Sequence, residues 1–277
     1  MEEKLTILIS TFNERILQVK NVILDYREDV KYIVSHQYTD NKYKSIPPEL
    51  NRKDILISQI EGRGVTKSRN NAIRLANTPL SLIADDDVTY KNEYFDTVIN
   101  YFYNNASVDV AIFKIKTPKD APEYKKYSKT SFQILDAASA KVSSVEMAFR
   151  TRIIKERNIV FDERFGVGQP LLIGSEERIF VSDCLKKRLN IWYFPEYIVE
   201  HPYESTIKLM SDFDKRKVYV AGAYDARVNG FLSIPKAFYV TFRLLNILKR
   251  NKKPPLLYLK ERLSASIYIL KTNKKYV

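Results

Sequence analysis

Short apolar runs and stretches with helical spacing alternate along the first 115 residues. Leu5–Ser10 reads LTILIS, apolar on both faces and rich in β-branched residues, which predicts a buried strand. The same reading predicts strands at Lys31–Ser35, Asp54–Ser58, Leu80–Ala84 and Val108–Ile115. Between the first two, Asn13 is placed to cap a helix with the apolar face Ile16, Val19 and Ile23. Gly64–Ile73 opens a second helix, which must end before Pro79 because proline disfavours a helical residue ahead of it. Phe95, Val98, Ile99 and Phe102 fall at i, i+3, i+4 and i+7, the stripe of a third. This alternation predicts an α/β domain with a mostly parallel central sheet flanked by helices, which binds ligands at the carboxyl ends of its strands.

The pattern then changes. Residues 117–144 are polar, with Lys-rich and Ala/Ser-rich parts, and read as a connection or flap. Val145–Phe149 predicts another strand and Ile191–Phe194 a late one. Ser175–Leu185 predicts a helix with Ser175 as its N-cap and Glu176 and Glu177 in its first turn, where the helix dipole favours acids. Further on, Phe238, Phe242, Leu245 and Leu248 form one helical stripe, and Leu256, Leu259, Leu263, Ile267 and Leu270 a second. Between them stand Lys249-Arg250-Asn251-Lys252-Lys253 and then Pro254-Pro255. The expected organisation is a main domain over 1–205, split into halves 1–116 and 117–205, and a basic, amphipathic helical region over 206–277.

Charge sharpens that division. Residues 231–277 hold eleven Lys/Arg and a single acid, Glu261, so this segment carries +10 of the formal net charge of +13. Two amphipathic helices with a basic link predict contact with a membrane surface, or else stripes packed on the main domain or a partner subunit with the lysines solvated. The charge and the 19 tyrosines also raise a rival function, nucleic-acid or membrane-surface binding without catalysis. Against nucleic acid, the basicity is confined to the tail, and carboxylates at the strand ends repel phosphate unless a metal is present. A sugar nucleotidyltransferase would want a glycine-rich loop after the first strand, and Thr11–Arg15 contains no glycine. Cys184 is the one cysteine, which excludes an internal disulfide, fits a reducing compartment and predicts a small buried residue on a helix. The start Met1-Glu2-Glu3-Lys4 shows no signal-peptide pattern, and no apolar run approaches the roughly 18 residues of a membrane span. The expected location is cytoplasmic, with the inner face of the plasma membrane as the surface the tail would meet.

The chemistry is concentrated in Asp85-Asp86-Asp87, directly after the apolar run LSLIA. Three adjacent carboxylates against a buried strand end need positive charge. A divalent cation, Mn²⁺ or Mg²⁺, supplies it by binding one or two carboxylates plus substrate phosphates. On an extended chain Asp85 and Asp87 point the same way, and Asp86 faces away or caps the next helix.

Four segments complete the picture. They are Thr6–Glu14, Ser68–Ile73, Leu82–Val88, and Phe161–Gly166 followed by Gly174–Phe180. In this order and spacing they resemble family 2 glycosyltransferases of the GT-A fold, over about residues 5–205. The resemblance implies the nucleotide-diphospho-sugar transferase fold with a C-terminal helical appendage. It also implies a UDP-sugar or similar donor and a saccharide or lipid-linked acceptor. Ser10, Thr11 and Glu14 then correspond to the first nucleotide contacts. Arg69 and Asn70 correspond to contacts with the nucleotide and diphosphate, and Asp86 joins the donor-binding set. Asp85 and Asp87 match the metal motif, and His201 adds a metal or diphosphate contact. Glu177 matches the general base of inverting members by its order in the motif, with Glu176 as its neighbour. Both glutamates stand in a pair that is Glu-Asp in the family. Where the family's second strand ends in an aspartate that meets uracil, this chain has His36 or Gln37, which leaves the donor base open.

Overall fold

The computed structural model describes residues 3–137, 141–203 and 210–272. The chain divides into two units, Met1–Phe161 with Phe180–Tyr203, and Asp162–Ile179 with Glu204–Val277.

The first unit is built on a sheet of eight strands. They are β1 (Leu5–Phe12), β2 (Val30–Tyr38), β3 (Ile55–Glu61), β4 (Leu80–Asp85), β5 (Val110–Lys116), β6 (Phe132–Gln133), β7 (Met147–Arg150) and β8 (Ile191–Glu200). Their order is β3-β2-β1-β4-β7-β5-β8-β6. β3, β2, β1 and β4 run parallel, as do β5 and β8. β7 is antiparallel to both β4 and β5 and joins the two parallel blocks, and β6 is an antiparallel edge on β8. The expected strand at Val145–Phe149 is therefore shifted: 144–146 form a 3-10 turn closed by a Ser143–Glu146 capping box, and β7 follows it.

Strand alternation explains the two faces. Leu5, Ile7, Ile9, Leu82 and Ala84 enter one apolar core with Ile16 and Val19 and with Phe95, Val98 and Phe102 of α2 (Asn92–Asn104). Leu8, Ile33 and Ile83 point the other way. They meet Ala72 and Ile73 of α1 (Val65–Leu75), Ile154 of α3 (Thr151–Glu156), and Phe180, Val181 and Cys184 of α4 (Glu176–Lys186). Cys184 is buried on its helix as expected, and burial pushes its thiol pKa up. Asn13 does not cap a helix. Its backbone is left-handed, with φ 50°, and the residues after it form a 3-10 helix over Asn13–Asn21. The Asn13 side chain instead accepts from the Thr39 N–H at 3.0 Å, tying the end of β1 to the end of β2.

The polar segment after β5 is fastened from within. Glu146, fully buried, is ion-paired with Lys125, accepts from the Tyr127 hydroxyl at 3.1 Å and from the Ser143 N–H at 2.9 Å. A carboxylate removed from water needs such a set of donors.

The second unit contains α5 (Lys215–Asn229), α6 (Ser233–Arg243), α7 (Leu245–Arg250) and α8 (Pro255–Thr272). Its core gathers Phe165, Leu172 and Ile179 with Val220, Ala223, Tyr224, Ala265 and Ile269. The expected C-terminal stripes meet this core only in part: Leu270 packs against it, while other members are exposed. Of Phe238, Phe242, Leu245 and Leu248 only Leu248 is buried, and α8 buries Arg262, Ala265, Ser266 and Ile269 rather than Leu256 or Ile267. The reason is the crossing of α5 and α8. A Cβ on Gly222 would lie 2.5 Å from the Arg262 carbonyl oxygen, so backbones approach there and small residues, not leucines, fill the seam. Lys274 and Lys275, counted in the basic tail, lie outside the described residues.

Candidate active site

Parallel pairing in register brings the carboxyl ends of β1, β2 and β4 together. Ser10 lies opposite Asp85, Thr11 opposite His36 and Phe12 opposite Gln37. The acidic triplet starts on the last residue of β4.

Its three members have different surroundings. Asp86 is buried and turned towards β1. It accepts from Thr11 Oγ1 at 2.7 Å and from Arg15 Nε at 2.9 Å, and is also ion-paired with Arg15 Nη2. It neither faces away nor caps a helix: α2 starts after Lys91, with no side-chain cap. Burial pushes the Asp86 pKa up, and the bonds from Arg15 and Thr11 pull against that. Asp85 is held by Arg69, whose Nη2 lies 3.1 Å from Oδ1. Arg69 is only 3% exposed, donates to Ser144 Oγ at 2.7 Å and lies over the Phe161 ring at 5.6 Å. Asp87 is the exposed member, within 3.0 Å of Arg15 Nη2.

His201 completes the group. A two-way backbone bridge between Thr89 and Glu200 draws the end of β8 to the chain just past the triplet. His201 Nε2 lies 3.5 Å from Asp87 Oδ1, and Nδ1 lies 2.6 Å from the Pro202 carbonyl. A carbonyl only accepts, so Nδ1 carries the hydrogen. In the neutral ring Nε2 then turns a lone pair towards a carboxylate. Two acceptors facing each other need a proton or a cation between them, and oxygen with imidazole nitrogen is a donor set that fits a divalent ion. Among the described residues no group of three or more His, Cys, Asp or Glu is placed to hold a metal ion.

Around β2 the side chains are aromatic and basic. Arg63 lies over the Phe12 ring at 5.7 Å and Lys44 over Tyr38 at 4.7 Å. His36 is used internally: Nε2 donates to the Asn13 carbonyl at 2.9 Å and Nδ1 accepts from Gln59 Nε2 at 3.1 Å. Burial lowers its pKa, so the ring stays neutral. Gln37 Nε2 is buried with no partner among the described residues. Asp40 accepts from the Lys42 N–H and so shapes a turn.

Other expected site residues divide into two sets. Ser10 is buried, with its hydroxyl unpartnered among the described residues, and Glu14 is exposed on the turn after β1. Asn70 bonds the Phe161 main chain with both ends of its amide, at 2.9 and 2.8 Å. Glu176 and Glu177 open α4 and belong to the second unit, after Ser175 at a left-handed φ of 74°. Glu176 is buried and Glu177 partly exposed. Arg15 was not anticipated. It bonds two of the three acids, and it lies in the 3-10 helix that follows β1.

No family model matches the sequence, and no curated protein sequence does. Solved structures do match. The S. aureus TarS 1-349 structure superposes with a TM-score of 0.63 at 12% identity, covering 98% of this chain and 91% of that one. The mixed α/β architecture, an eight-stranded sheet flanked by helices, is that of a GT-A-like fold. The S. aureus TarS structure of the longer chain also matches, at TM-score 0.55 and 17% identity, covering 87% of this chain but 43% of that one. A third structure, TarS 1-349 in complex with UDP-GlcNAc, matches at TM-score 0.54 and 15% identity, over 83% of this chain and 69% of that one. The acidic triplet stands at the carboxyl edge of the sheet, the side on which open α/β sheets bind ligands.

Proposed function

We propose that the chain is a glycosyltransferase that moves a sugar from a nucleoside-diphosphate donor, a UDP-sugar in the first instance, to a hydroxyl of a saccharide or lipid-linked acceptor. The observation that carries this reading is the pairing of Asp87 with His201 beside Arg15 at the carboxyl edge of the sheet. The fold shared with a protein solved in complex with UDP-GlcNAc and with UDP supports the same donor class.

Asp87 and His201 are the pair that would hold Mn²⁺ or Mg²⁺, with Asp85 added by the resemblance although Arg69 holds it in this structure. When bound, the ion supplies the positive charge that stabilises the departing diphosphate. Arg69 fixes Asp85, and Asp86 with Thr11 fixes Arg15, whose guanidinium stays charged and can turn to phosphate. Ser10, Thr11, Glu14 and Asn70 are assigned to the donor side by the resemblance. Tyr38 and Phe12, each already under a cation, offer ring faces to a nucleobase. Glu177 is assigned as the base that takes the acceptor proton, giving inversion in a single displacement. Its partial exposure, against the burial of Glu176, favours it over its neighbour.

Thermal shift with UDP, UDP-GlcNAc and GDP-sugars, each with and without Mn²⁺, tests the reading. A donor at about 100 times its Kd adds about 2.7 kcal/mol. For a chain of this size that raises Tm by roughly 5–10 °C. The gain should require Mn²⁺ and vanish in Asp87→Ala. No shift with any nucleotide-sugar would sink the proposal. For the base, Glu177→Gln should keep the donor shift and cut turnover by about 10²-fold or more, whereas Glu176→Gln should not. Near-normal turnover of Glu177→Gln would remove that assignment.

A further inference from the structure

Helix α6 is built with its small residues inside. Ser233, Ala237 and Thr241 recur at i, i+4 and i+8 and are buried. The large residues face water: Phe238, Tyr239 and Phe242 are exposed, Phe242 at 74%. The turn just before it adds Phe231 at 80% and Leu232 at 71%, and Leu256 at the start of α8 is 82% exposed. Single exposed apolar residues are ordinary, but a run of them on one short stretch marks an interaction surface.

Cations accompany this stretch. Arg243, Lys249, Arg250, Lys252 and Lys253 are exposed, and none has an ion-pair partner among the described residues. Lys236 differs, being paired with Asp225 at 2.7 Å. The sequence has no acid between Asp225 and Glu261. Among the described residues no helix is long and apolar enough to cross a membrane.

We propose that this surface docks on an anionic lipid bilayer. Helix α6 lies along the interface with Phe238, Tyr239 and Phe242 at the level of the headgroups, and the Lys249–Lys253 link meets the lipid phosphates. Charge decides the occupant. A second copy would bring two sets of these five exposed cations against one another, whereas an anionic leaflet neutralises them. Aromatic residues on one side of a helix with cations beside them are the composition of an interfacial helix. Long basic side chains suit the boundary because their stems lie on apolar surface while their heads reach phosphate.

The test is co-sedimentation of the full chain with vesicles of phosphatidylcholine alone and of phosphatidylcholine with about one third phosphatidylglycerol. It needs no donor, metal or turnover, so it stands or falls apart from the transferase reading. The expected result is binding to the anionic vesicles only, weakened at least tenfold by raising salt from 0.1 to 0.5 M. The double variant Phe238→Ser/Phe242→Ser, both sites being exposed, should keep the wild-type circular dichroism and melting point yet lose at least tenfold in vesicle partition. Replacing Lys249, Arg250, Lys252 and Lys253 by Gln should do the same. Three results would overturn the proposal: no binding to anionic vesicles, wild-type partition by the double serine variant, or a wild-type dimer that this variant dissociates on size exclusion. The last would make the face a self-interface.

Discussion

Asp162 carries two arginines in a place almost without water. Its carboxylate is 1% exposed and accepts from Arg164 Nε at 2.8 Å and from Arg227 Nε at 2.9 Å. Burial works to raise its pKa, but Arg164 and Arg227 outweigh burial and hold it below the ordinary aspartate value. The sign follows directly. The folded chain binds the proton less tightly than the unfolded one, so the stabilisation is present above pH 3.8 and is lost as pH falls through the lower, folded value. Asp162→Ala leaves two largely covered cations without this anion and should cost about 3 kcal/mol. A urea denaturation midpoint unchanged from wild type at pH 7 would contradict this, and the gap between the two proteins should narrow on acidification. In the sequence Asp162 stood out only as part of a motif, because nothing in a linear pattern shows that Arg227, 65 residues away, returns to it. The acidic triplet was easier to read, since three carboxylates after a buried run demand a positive partner. That Arg15 and Arg69 supply part of that charge was not readable, because side-chain direction at a turn has no period.

At the level of elements, period and composition located the parallel strands well, because strands buried on both faces read as uninterrupted apolar runs. β7 was found but not its direction: antiparallel pairing between β4 and β5 depends on where the 30 residues 117–146 return the chain. The C-terminal helices were located, and their stripes, readable as a membrane face or as a packing face, fall partly outside the core. Hydrophobic spacing points leucines to the core, while α5 and α8 approach through Gly222, Ala265 and Ser266, with Ser266 Oγ donating to the Gly222 carbonyl at 3.2 Å. Gly222→Ala tests this. In an open helix alanine would be better than glycine by roughly 0.5–1 kcal/mol. Here the new methyl would lie 2.5 Å from backbone, so the variant should instead lose about 1–3 kcal/mol. Stabilisation, measured by thermal melting, would mean that the crossing is looser than described.

Across the whole molecule, charge and sheet order divide the chain differently. Most of the net charge sits beyond residue 230, in the stretch proposed to meet lipid, while the sheet edge that collects Asp85, Asp87 and His201 lies in the other unit. Sheet order also dictates the timetable of assembly. Strands β1 to β4 each find a neighbour among residues 5–85, so that block can zip up early. β5 pairs only with β7 and β8, both of which lie further along the chain. During synthesis its backbone emerges with no ladder to join until Met147–Arg150 has followed it, and the free side of β4 waits for the same four residues. Pulsed hydrogen exchange during refolding should therefore show β5 amides protected no sooner than those of β7, and later than those of β1. The nascent protein carries two sticky strand margins for that interval, which is when a chaperone would be needed most.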